Sequence, residues 1–105
     1  MTTYFFVAAS EKFLTVEEPL EEILKERARN YKENGREIDF WLLKNPSFLK
    51  SSQFSDLLAK IPSPPAAVIS KDKKFITFLK LRLEFCAVGE FECPSEYITD
   101  PLKVD

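Results

Sequence analysis

A chain of 105 residues that is 45% hydrophobic and 30% charged has the proportions of one folded domain, not of a disordered tail. Its net charge of −2 gives no excess of cations to grip a polyanion such as nucleic acid. The absence of histidine removes Ser-His-Asp chemistry, and two glycines leave little backbone for a phosphate-cradling loop.

The N-terminal MTTYFFVAAS lacks the basic region of a secretory signal and is not an Arg-rich transit peptide, so the chain is expected in a cytosolic or stromal compartment. Residues 3–9 form a continuous apolar, aromatic run, which predicts a strand covered on both faces. Thr15 with Glu18 three residues on has the pattern of a capping box, and Pro19 suits a first helical turn. Leu20, Ile23, Leu24, Arg27, Ala28 and Tyr31 then recur at helical spacing, predicting an amphipathic helix that ends near Gly35. Glu17, Glu18, Glu21 and Glu22 form an acidic start that the helix dipole favours, and read as a solvated end rather than a metal site.

A second strand is predicted over 37–44. The segment NPSFLKS breaks it, FSDLLAK (54–60) reads as a short helix, and the prolines at 62, 64 and 65 force an extended connection. AAVIS (66–70) predicts a third, fully apolar strand. Residues 71–85 predict the last helix, and CAVGEFE (86–92) a fourth strand towards an edge. The tail from Pro94 is expected to be irregular. The order β-α-β-(short α)-β-α-β describes one α/β domain, in the α+β sense, with helices against a four-stranded sheet. No apolar run approaches the ~18 residues of a membrane span.

Two charges stand out. On a helical wheel of the last helix, Arg82 falls among Phe75, Phe78, Leu79 and Phe85, where a guanidinium must snorkel out or meet an anion. In the second strand, Ile38, Phe40 and Leu42 share one face; Asp39, Trp41 and Leu43 share the other. Asp39 is therefore open to three readings: a wet strand end, an internal pair with Arg82, or one border of a docking face for another protein.

Other groups are plainer. Lys71, Lys73 and Lys74 sit where the helix dipole disfavours cations, which places them on the surface for solubility or for contact with an acidic partner or lipid headgroups. Glu90 and Glu92 share a strand face without the enclosing pocket that paired catalytic carboxylates need. Cys86 and Cys93 fit neither a CxxC pair nor a zinc site and read as free thiols. No catalytic set, cofactor or metal ligand set is expected.

Three runs, YFFVAASEKFLTVEEPLEEILKERARNY, EIDFWLLKNPSFL and LKLRLEFCAVGEFECPSE, the last followed by DPL, together resemble one small family. It is the accessory protein of the oxygen-dependent magnesium-protoporphyrin IX monomethyl ester cyclase of cyanobacteria and chloroplasts. The likeness runs from Tyr4 to Leu102. It implies a largely antiparallel sheet and a non-catalytic role in chlorophyll biosynthesis. The implied task is to bind and stabilise the cyclase's membrane-associated di-iron catalytic subunit, with peripheral thylakoid association through that partner. The partner-facing residues it implies are Asp39 and Phe40, with neighbouring Trp41, and Arg82. A second reading is a carrier that hands a tetrapyrrole to the cyclase, its aromatic strands lining a pocket.

Overall fold

The computed structural model describes residues 1–105. Four strands form one sheet: β1 (Thr2–Ser10), β2 (Phe40–Lys44), β3 (Pro65–Ser70) and β4 (Ala87–Cys93). Their spatial order is β2-β3-β1-β4 and every neighbouring pair is antiparallel. The two central strands are the most deeply buried. β3 is buried at every position, as β1 is from Phe6 to Ala9. β4 lies at an edge, as its partial alternation predicts.

Both faces of the sheet are covered. On one, α1 (Leu20–Glu33) and α3 (Lys73–Arg82) pack Leu24, Tyr31, Phe75 and Leu79 against Val7, Phe40 and Val68. On the other, two 3-10 turns (Ser47–Lys50 and Ser52–Phe54) and the short α2 (Ser55–Ala59) bring in Phe48, Leu49 and Phe54. These meet Phe6, Ala8, Ile69 and Phe91. Phe6 makes edge-on contacts with Phe48 and Phe54, with ring centroids 4.9 and 5.2 Å apart, an arrangement that aligns the positive ring edge with a negative ring face.

Several local features depart from the sequence reading. No capping box forms. The Thr15 hydroxyl donates to the Glu11 carbonyl, and Phe13–Glu17 make one wide π-helical turn that Glu18 N–H closes onto the Phe13 carbonyl. Burial of Leu14 by that turn outweighs the capping preference, and α1 starts after Pro19 without a side-chain cap. At its other end Gly35, at φ +65°, closes a Schellman motif: Arg36 N–H donates to the Tyr31 carbonyl and Gly35 N–H to Lys32. β2 begins at Phe40, not at residue 37, and α3 spans Lys73–Arg82, shorter than 71–85 because Leu83 turns extended. The tail after Cys93 carries no helix or strand, as the sequence reading expects, but it is tied down. Ile98 is buried, Pro46 bridges Val104, and Lys50 pairs with Asp105 at 2.9 Å. No helix is long and apolar enough to cross a membrane.

Candidate docking site

The chain's polar centre lies where α1, the start of β2 and the start of α3 converge. Arg27 occupies a position on the apolar stripe of α1. One of its Nη atoms donates both to the Tyr31 hydroxyl (2.8 Å) and to Asp72 Oδ2 (3.0 Å). The Tyr31 hydroxyl in turn donates to Asp39 Oδ1 at 3.0 Å. The guanidinium lies over Phe75, 3.9 Å from the ring centroid, and the Arg36 guanidinium covers the Tyr31 ring at 4.1 Å. Arg27 Nε is buried without a hydrogen-bond partner, so the ring face carries part of that cation's stabilisation. Asp72 also caps α3 by accepting Lys74 N–H, and its own N–H donates to the buried Ser70 hydroxyl. Burial, followed by the hydrogen bond to Asp39, raises the Tyr31 phenol above its ordinary pKa; Arg27 and Arg36 oppose this.

The four residues singled out in the sequence separate into three environments. Asp39 is half-buried and stands one residue before β2. Its carbonyl accepts Lys71 N–H, and its carboxylate turns to Tyr31, on the Phe40 side of the sheet rather than the Trp41 side. The alternation rule misplaces it because the strand has not yet begun there. Phe40 is 4% exposed and sits edge-on to both Tyr31 and Phe75, so it belongs to the core and presents no surface. Trp41 is half-buried on the opposite face.

Arg82 is exposed and makes no ion pair, so the internal Asp39–Arg82 pair does not exist. The buried side of α3 is Phe75, Ile76 and Leu79. Phe78 and Phe85, counted into the apolar arc on composition, are 52% and 75% exposed, and Phe85 lies beyond the helix. Arg82 thus borders an exposed apolar surface instead of a buried one. The cation that does meet Asp39's network is Arg27. Its place on the α1 stripe was the same kind of signal that drew attention to Arg82.

A groove of ≈ 860 Å³ opens at the far end of β1 and the start of β4. Ala8, Ala9 and Ala87 leave its sheet floor low. Phe13, Phe54, Leu57, Ile61 and Phe85 wall it, and Glu17, Asp56 and Lys60 also line it. Cys86 lines it too, while Cys93 is buried with its thiol towards the Ile98 carbonyl; burial raises the pKa of both thiols, and neither is in a disulfide.

The family model of the Ycf54 protein matches residues 2–93. A Ycf54-like protein of Synechocystis is 50% identical over 102 residues, covering 97% of this chain and 77% of that protein. The chloroplastic YCF54 of Arabidopsis thaliana is 38% identical over 95 residues, covering 90% of this chain and 44% of that one. The crystal structure of the All0216 protein of Nostoc superposes with a TM-score of 0.95 at 54% identity, covering 98% of this chain and 95% of that one. Its fold is therefore the four-stranded antiparallel sheet with helices described above.

Proposed function

We propose, from the premise that this chain belongs to the Ycf54 protein family, that it is a non-catalytic accessory factor which binds and stabilises the di-iron catalytic subunit of the magnesium-protoporphyrin IX monomethyl ester cyclase. The observation that carries this reading is Arg82: an exposed guanidinium in the last turn of α3 that makes no ion pair within the chain. Arginine and aromatic side chains dominate the energetics of protein interfaces, and a cation with no partner inside its own chain is free to find one outside. Asp39 and Trp41, half-buried on opposite sides of the edge strand β2, supply a second element to a partner that wraps that edge. Phe40 acts from beneath by holding the strand start against Tyr31.

The test is affinity capture of the catalytic subunit by purified variants. Arg82→Ala should keep the wild-type melting temperature to within about two degrees, Trp41→Ala should lower it because Trp41 packs against the core, and both, compared while folded, should retain roughly tenfold less subunit. Wild-type capture by both variants sinks the proposal.

The groove beside Cys86 favours a second reading, a tetrapyrrole carrier. Its volume lies within the range of small-molecule sites, roughly 300–1,000 Å³, and Phe13, Phe54 and Phe85 line it, although these rings come from turns and a loop and not from the strands, whose floor is mostly alanine. Titration with the porphyrin substrate decides: an unchanged absorption spectrum at micromolar protein removes it.

A further inference from the structure

The outer face of α3 has a composition that its fold does not need. With about 100° between residues, Leu81 lies opposite the buried Phe75, Ile76 and Leu79, and is 79% exposed. Lys74 and Thr77 stand on either side of it, Lys73 and Lys80 lie further round one flank, and Phe78 and Arg82 the other. Five of the chain's fifteen Lys and Arg residues lie between Lys71 and Arg82, in a protein of net charge −2, and none of the five is in an ion pair. Asp72, the only acid within that stretch, is already held by Arg27. Lys80 and Arg82 suit the last turn of a helix, but Lys73 and Lys74 oppose the dipole at its start. Neither of those two cations is held in an ion pair, and no side chain covers the leucine that projects from the crest.

We propose that this face seats the protein directly on an anionic lipid bilayer, with Leu81 and Phe78 entering the acyl boundary and the lysines reaching out to headgroup phosphates. A protruding apolar crest ringed by flexible ammonium groups fits a soft, uniformly anionic surface. The lysine side of this crest fits a protein partner less well than the Arg82 side does, because lysine is depleted at protein interfaces and their hot spots fill pockets. Lipid binding here is a property of the isolated chain and does not depend on the cyclase subunit proposed above.

The test is co-sedimentation of the purified full chain with phosphatidylglycerol vesicles and with phosphatidylcholine vesicles at low and high salt. Binding is expected to phosphatidylglycerol only, weakened by salt. The Lys74→Glu/Lys80→Glu variant should bind about 25-fold more weakly or worse, at roughly fivefold per cation lost. Leu81→Ser should also release the protein. Lys25→Glu/Lys32→Glu, with the same charge change on exposed positions of α1, should stay close to wild type. Circular dichroism confirms that each variant is folded. The proposal is overturned if wild-type protein ignores phosphatidylglycerol vesicles, if the α3 variants bind like wild type, or if the α1 control falls as far as the α3 pair. It is equally overturned if vesicles are ignored while Leu81→Ser loses the catalytic subunit, which makes the face a protein interface.

Discussion

The phenol of Tyr31 donates to the carboxylate of Asp39 at 3.0 Å, and through it the end of α1 is tied to the start of β2. The same oxygen accepts from Arg27, which in turn holds the Asp72 cap of α3. Asp39 is therefore a structural residue as well as a half-buried group at the sheet edge. Tyr31→Phe should destabilise the fold by about 1–2 kcal/mol, because Asp39 and Arg27 each lose a partner in a site only partly reached by water. Arg27→Lys should cost at least as much, since a lysine cannot bond Tyr31 and Asp72 together while lying flat on Phe75. Urea unfolding measures both; wild-type midpoints for both would mean the network contributes nothing. A capture experiment with Asp39→Ala has to be compared with Tyr31→Phe, because lost binding in both points to the fold and not to contact.

Much of this architecture was legible in the chain. Continuous apolar runs marked β1 and β3 as strands covered on both faces, and the partial alternation of CAVGEFE put β4 at an edge. Gly35 marked the end of α1. Legibility failed where local rules competed with burial. Thr15 and Glu18 had the spacing of a cap, yet burying Leu14 demanded a wider turn. Phe78 and Phe85 are apolar yet exposed, so the apolar arc drawn from residue type alone encloses Arg82 where the fold does not. No local pattern says that α3 needs only Phe75, Ile76, Leu79 and Leu83 to cover its share of the sheet. Strand direction is likewise a tertiary property, and came only with the family resemblance. Asp39's partner was unreadable because it depends on how α1 crosses β2.

Alkaline pH offers an independent probe of the same network. Only the protonated phenol can donate to Asp39, and burial together with that bond raises the Tyr31 pKa in the folded state above its ordinary 10.0. A neutral acid whose folded pKa is raised adds stability that is complete below the unfolded value and is lost as pH rises through the folded one. Stability should therefore hold up to about pH 10 and then fall. Tyr31→Phe should flatten part of that fall. Tyr4, raised mainly by burial, should account for a separate portion that survives the substitution. Denaturant midpoints across the alkaline range, with tyrosinate absorbance beside them, check the assignment; an unchanged profile in Tyr31→Phe refutes it.

The second face of the sheet yields a sharper steric prediction. Gly89 of β4 stands opposite Phe6 of β1, and the Phe6 ring lies across the space where a Cβ at position 89 would project. That Cβ would come 2.6 Å from Phe6 Cζ, well inside contact distance. Phe6 cannot swing away freely, because Phe48, Phe54 and Phe91 hold its ring. Gly89→Ala should thus destabilise by about 1–3 kcal/mol through overpacking. Gly35→Ala should cost about 1 kcal/mol for a different reason: no atom lies near, but its backbone is left-handed. The two causes separate in double variants. Phe6→Leu shortens the ring that blocks position 89, so Gly89→Ala/Phe6→Leu should be more stable than the sum of its single changes, with a coupling of at least 0.5 kcal/mol or so. Gly35→Ala/Phe6→Leu should be additive, since the two sites share no contact. Thermal and urea unfolding of these five variants and the wild type measures this, and an additive result for position 89 would show that the ring does not set the requirement for glycine.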